Sequence, residues 1–189
     1  YDAIDVLINN AGVNDTQSSL TAEGFDHMMA SNYLGPFLLT RLLEPRLRAA
    51  GNARVVNVSS GGMYARRLSL DDWGFERRPF DGVVAYAESK RALVVLAEMW
   101  AARLCGSGVT VNAMHPGWAD TPAVRTSLPR FRQAMESRLR TPEEGADTVV
   151  WMSVCPRLEE ETGRFYFDRE PRATHLLPWT REDPKDRQR

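Results

Sequence analysis

The sequence predicts an α/β fold built on a parallel sheet, and three observations predict it. Short apolar runs of strand length alternate with longer amphipathic runs, in the order strand, helix, strand, helix, strand, helix, strand. Right-handed crossovers in such an alternation set the strands side by side. The three most unusual local sequences, Asn9–Gly12, Ser59–Gly62 and His115–Gly117, each follow a strand, at the carboxyl edge where sheets of this class bind ligands.

The elements follow in order. Ile4 to Ile8 is a short apolar run closed by Asn-Asn-Ala-Gly, the pattern of a buried parallel strand. Thr21 is placed to cap a helix carrying Phe25, Met28, Met29, Asn32, Leu38, Leu42 and Leu43 towards Leu47, with Gly24 a weak spot and Gly51 its stop. Gly35-Pro36 interrupts this helix. A proline there removes a backbone donor and crowds the preceding turn, so a kink or bulge is expected. Val55 to Val58 is a second strand, and residues 61–82 form a long connection rich in Gly, Arg, Asp and aromatics. Val83 to Leu104 is a helix with Tyr86, Lys90, Leu93, Ala97, Trp100 and Leu104 on or near one face. Gly108 to Met114 is a third strand, and Pro129 separates two short, polar helical pieces. Thr141-Pro142-Glu143-Glu144 starts another helix, with a capping Thr, Pro in the first turn and acids near the positive end of the dipole; it ends near Cys155-Pro156. A fourth strand begins at Gly163. The domain is drawn as residues 1–170, and the Pro-, Arg- and Asp-rich stretch 171–189 as a polar, poorly ordered tail.

Bulk properties exclude some functions. The net charge of −1 provides no field to recruit nucleic acid or an anionic membrane. Two cysteines, Cys105 and Cys155, make no disulfide framework, which points to the cytoplasm or another reducing intracellular compartment. No apolar run approaches the ~20 residues that span a bilayer, and no metal-ligand spacing stands out. The chain opens "YDAIDVLINNAG", entering a strand of buried type almost at once, so it is read as incomplete at its N-terminus.

Candidate chemistry gathers at the strand ends. Of 24 basic residues only Lys90 and Lys185 are lysine, and Lys90 stands four positions after Tyr86, on the same helix face. A free tyrosine titrates at about 10. An adjacent ammonium favours the phenolate, and a phenol so tuned can exchange a proton with an alcohol or carbonyl. Ser60, with Ser59 the weaker choice, can donate to an oxygen on which charge develops, or simply shape a turn. Asn32 lies just before the helix break, where it can anchor a water or be a satisfied buried amide. Asn9, Ala11 and Gly12 let a flat ring approach the backbone, and Pro116, Gly117, Trp118 and Thr121 form a turn that exposes polar backbone groups.

Taken together, "NNAG" (9–12), "SNYLG" with Asn32, "VVNVSS" (55–60), "YAESK" (86–90) and "HPGWADT" (115–121) occur in the order found in the short-chain dehydrogenase/reductase family, which the chain resembles over most of its length. "SSGGM", "PFDG", "HPGWADTP" and "GRFYFDREP" are most similar to the subgroup of family member 12. The resemblance implies a Rossmann-like, doubly wound sheet, of which only the second half and the catalytic segment, about four strands, are present. It implies an NAD(P)-dependent oxidoreductase that interconverts an alcohol and a carbonyl, with NAD or NADP as cofactor and a small-molecule substrate. Tyr86 would be the general acid/base, Lys90 its tuning charge and ribose ligand, Ser60 the oxygen-stabilising donor and Asn32 the holder of a relay water. Asn9, Ala11, Gly12, Tyr86, Lys90 and the Pro116–Thr121 turn would contact the cofactor. It also suggests a homo-oligomer through the long helices.

Two departures stand out. Ser60 and Tyr86 are 26 positions apart, farther than the family usually places them, and the added length holds Met63, Tyr64, Trp73, Phe75 and Phe80. These either cover a bulky apolar substrate or decorate the surface. No glycine-rich phosphate-binding run precedes Asp5. That absence keeps open an alternative, in which the chain is a truncated, non-catalytic product acting at most as an interaction module.

Overall fold

The computed structural model describes residues 1–69, 71–120, 124–125, 132–133, 135–183 and 185; the expected roles of Thr121 and Pro129 lie outside them. Four strands, β1 (Val6–Asn9), β2 (Ala53–Val58), β3 (Val109–Met114) and β4 (Phe165–Phe167), stand in sequence order, each parallel to the next. Every residue of β2 and β3 is buried, which suits their Val and Ala, and the buried Arg54, Asn57 and Asn112 side chains each find hydrogen-bond partners. β1 lies at the edge, with Ile8 42% exposed.

A fifth strand, β5 (Glu170–Pro171), was not expected. It pairs antiparallel with β4 through Phe167 and Glu170. The two-residue turn between them, Asp168-Arg169, has φ of 54° and 59°, the twist that matches a tight hairpin. Neither residue is the glycine that usually signals such a turn. Here Asp168 is held by Arg140, and Arg169 by Asp147 and the Thr148 hydroxyl. The boundary drawn at 170 falls inside this hairpin. Beyond it, Arg172 N–H donates to Phe165 and the Tyr64 hydroxyl to the Ala173 carbonyl.

The helices follow the sequence with one correction. Thr21 caps no helix. It heads a turn in which Gly24 takes φ +85°, and Leu20 pairs with Asp26. Helix α1 (His27–Met29) starts five residues later than expected, and the Asp26 carboxylate accepts from Met29 N–H as its cap. Phe25 is therefore exposed ahead of the helix. The expected irregularity before Pro36 is a π-helical segment, Ala30–Leu34, leading into α2 (Gly35–Ala49). Gly51, at φ +76°, follows the end of α2. Helix α3 (Gly82–Arg103) is capped by Asp81, and α4 (Pro142–Val154) opens with a reciprocal Thr141–Glu144 capping box.

The main core lies between the sheet and α2 and α3, with Leu47, Val55, Leu93, Ala97, Trp100, Val111 and Phe165. A second core under α4 holds Val56, Val58, Met114, Met152 and Tyr166. Helices thus cover both faces and leave the carboxyl edge of the sheet open to carry chemistry. Among the described residues, no helix is long and apolar enough to cross a membrane.

Candidate active site

The carboxyl ends of β1, β2 and β3 meet the first turns of α3 around one cavity of about 140 Å³. Gly12, Ser60, Tyr86, Pro116, Gly117 and Trp118 line it. Most of the residues singled out from the sequence come together here, from four separate segments.

Tyr86 and Lys90 are one turn apart on α3, and the Lys90 ammonium lies 5.7 Å from the centre of the Tyr86 ring. Lys90 is 3% exposed, and its Nζ donates to the Val58 carbonyl at the end of β2, 3.0 Å away. Burial lowers its pKa to about 8. The Tyr86 phenol moves up, not down. Burial raises its pKa, and a hydrogen bond with the Ser60 hydroxyl opposes that only in part. This corrects the expectation that the ammonium alone would draw the phenol down. The low-dielectric wall disfavours the charged phenolate, and this is the dominant effect on the phenol.

The two serines separate. Ser59 turns inward and its hydroxyl donates to the Lys90 carbonyl, fixing β2 to α3. Ser60 faces the cavity, accepts from Gly62 N–H and bonds to the phenol. A short 3₁₀ turn, Gly61–Ala65, starts here and places Met63 in the main core.

Asn32 is fully buried in the π segment. Its Oδ1 accepts from Val13 N–H at 2.8 Å, and its Nδ2 donates to the Val13 carbonyl and to Ser89 Oγ. Ser89 in turn donates to the Tyr86 carbonyl. The amide therefore clamps the loop after β1 to α3. Gly12 must be small because a Cβ there would sit 3.0 Å from both Asn32 Oδ1 and Lys90 Nζ. Ala11 is exposed beside it. Asn9 acts from below, its Nδ2 donating to Asn57 Oδ1 and Thr40 Oγ1, while Asn57 Nδ2 donates to the Leu93 carbonyl.

The turn after β3 is held by a residue the sequence reading passed over. Arg140 N–H donates to the Trp118 carbonyl, and the Arg140 carbonyl accepts from Asp120 N–H. Its guanidinium packs against Gly117, where a Cβ would lie 2.9 Å from Nε. Nothing local marks Arg140 for this, since it lies more than twenty positions away in sequence. His115 was also passed over as a site residue, although its motif was noted. It stacks on Phe167 with ring centres 4.2 Å apart and receives Gly117 N–H on Nδ1. Burial, aided by Arg140, lowers it to about 4, so it is neutral at pH 7.

The long connection is only partly at the site. Its start, with Gly62, Ala65 and Arg66, lines an apolar recess of about 180 Å³ next to Ser60 and Tyr86, closed by Val83, Val84 and Trp118. Its later aromatics pack elsewhere. Trp73 meets Tyr33 edge to face, and Phe75 packs on Phe80 under Arg78.

Comparisons with known proteins show the family to which the chain belongs. The model of the short chain dehydrogenase family matches residues 1–130. The chain belongs to the short-chain dehydrogenase/reductase family. It is 42% identical over 188 residues to bovine dehydrogenase/reductase SDR family member 12, covering 98% of this chain and 59% of that protein. It is 35% identical over 175 residues to human retinol dehydrogenase 13, covering 88% and 53%. Among solved structures, 3-ketoacyl-(acyl-carrier-protein) reductase from Brucella melitensis complexed with NADH aligns with a TM-score of 0.66 at 26% identity, over 86% of this chain and 64% of that one. The chain thus spans little more than half the length of the curated family members it matches.

Proposed function

We propose that this site interconverts an alcohol and a carbonyl by hydride transfer with NAD or NADP, Tyr86 handling the proton. The observation that carries the reading is the pair of hydroxyl residues, Ser60 and Tyr86, lining one cavity with a buried lysine over the phenol ring. The surroundings suit a nicotinamide. The cavity is floored by Gly12 and the Pro116–Trp118 backbone, where a flat ring can lie close. Gly12, Pro116, Gly117, Trp118, Tyr86 and Lys90 would hold it, with Ala11 at the rim and Asn9 bracing the strand end beneath. When bound, it supplies or accepts the hydride.

The residues of this chain do the rest. The reacting oxygen lies between the Ser60 and Tyr86 hydroxyls, which donate to it as negative charge grows. A phenol kept protonated by burial gives its proton to that oxygen in reduction, and takes it back in oxidation. Lys90, still charged at pH 7, favours the phenolate left behind and presents donors to a ribose. Asn32 holds the Val13 loop and α3 in register, and its Oδ1 and the Lys90 Nζ both border Gly12, where the two would share a relay water. The apolar recess beside Val83, Val84 and Trp118 suits a bulky apolar body on the substrate. The exposed Phe37, Leu38 and Leu42 of α2 and Met99 of α3 form a face for a second copy.

Titrating the 189-residue chain with NADH and NADPH while following thermal unfolding tests the cofactor. Stabilisation should grow with ligand concentration. A folded sample that responds to neither favours the non-catalytic interaction module. In turnover assays Tyr86→Phe should cost at least about 100-fold while cofactor affinity holds.

A further inference from the structure

Next to the Tyr86 cavity lies a hollow of about 490 Å³ that shares Gly117 and Trp118 with it. Gly61, the neighbour of Ser60, is on its wall, so a molecule reacting at Ser60 and Tyr86 can extend into it. The walls are aromatic, with Tyr64, His115 and Phe167. Three guanidiniums open onto it, from Arg138, Arg140 and Arg172, and none of the described lining residues is Asp or Glu. The Asp168 carboxylate is already forked with Arg140, with Nη2 2.8 Å from Oδ2. Among the described residues, neither Arg138 nor Arg172 has an ion-pair partner, whereas Arg140 is paired with Asp168 and also feels Glu144 and Asp147. Arg172 lines the hollow with Tyr64 and His115, and its charge favours the deprotonated form of both and of Asp168.

Resting on the redox reading above, we infer that this hollow is an anion subsite, taking a carboxylate or phosphate at the far end of the substrate. Arg138 and Arg172 would pair with it, and the ketone or alcohol carbon would lie at Ser60 and Tyr86. Guanidiniums match both anions with planar, two-point hydrogen bonds. Aromatic walls lower the local dielectric and strengthen that pairing. The paired Arg140 acts as the fixed floor of the subsite, because it is bound to Asp168 and to the turn after β3. This narrows the substrate class from any carbonyl compound to one with an acidic group.

The test is calorimetric titration of the 189-residue chain with para-acetylbenzoate, para-acetylphenyl phosphate and the uncharged methyl ester of the first. At least one anion should bind about tenfold or more tighter than the ester, by an amount that falls as salt rises. Arg172→Gln should remove most of that advantage, and Arg172→Lys should keep part of it. Arg138→Gln, at an exposed position, should lower it in a chain that melts like the parent. Equal affinity for anions and ester, undetectable anion binding, or an advantage untouched by both glutamine variants overturns the inference. The NADH titration is read separately. A chain that prefers the anions yet ignores both cofactors sinks only the redox reading, and one that binds NADH without the preference sinks only this one.

Discussion

Lys90 shows how much one side chain can decide. Its neighbours admit an ammonium and little more. Gly12 and Asn32 close around it, and its Nζ donates to the Val58 carbonyl. A guanidinium, planar and broader, would need space that Gly12 already lacks. Holding a charge there costs stability. In the unfolded chain the group titrates at its ordinary 10.5, and in the fold at about 8. Below the lower value both states are protonated and the full penalty applies. Between the two the unfolded chain binds more protons, so stability rises with pH across that window. Lys90→Met should therefore be more stable than the parent at pH 7, by on the order of 2 kcal/mol after the lost hydrogen bond is counted. Most of that gap should close by about pH 10, as the buried lysine loses its charge. Urea unfolding of both chains at the two pH values measures it, and a gap of the same size at both would contradict the account. Tyr86 and Lys90 were legible because i, i+4 spacing on a helix survives folding unchanged. The direction of the phenol's shift was not, because burial is decided by segments far away in sequence.

At the scale of elements, Arg91 on α3 joins distant parts of the chain. It is fully buried, and its Nε donates to the Arg66 carbonyl of the long connection. Its other nitrogens donate to the Thr174 and Thr180 carbonyls and face Glu182 at 3.2 Å. α3 thus presents Lys90 to the site and, with the next residue, ties down the segment beyond β5. Arg91→Ala would leave buried carbonyls and a carboxylate without that partner. It should cost about 3–5 kcal/mol and open residues 172–183 to limited proteolysis. An unchanged melting temperature and digestion pattern would show that the segment holds without it. Caps were readable where the signal is local, as at Thr141 with Glu144. Thr21 failed because Gly24 turns the chain away before a helix can start, and Asp26 does the capping instead. The β4–β5 hairpin was hidden because long-range anchors, Arg140 and Asp147, hold a turn whose own residues do not advertise it.

At the scale of the whole molecule, an apolar face of α2 and α3 is left uncovered. On α2, Leu38 and Leu42 are 54% and 66% exposed, and a hollow of about 370 Å³ lies between Phe37, Leu96, Met99 and Trp100. If a second copy covers this face, sedimentation should show a concentration-dependent dimer, and Leu42→Glu should shift it to monomer with little change in the far-ultraviolet circular dichroism. A monomer at every concentration would rule that partner out.

Sequence alone determined the α/β alternation, the parallel order of the strands and the identities of the residues at their ends. Those depend on period, length and turn chemistry, which are local. Tertiary structure alone decided that the Ser59 hydroxyl is tied to the Lys90 carbonyl, that Asn9 braces the sheet from below, and that Arg138, Arg140 and Arg172 line one hollow. Each of these outcomes depends on which distant segments share a boundary with water, and no window of sequence contains that boundary.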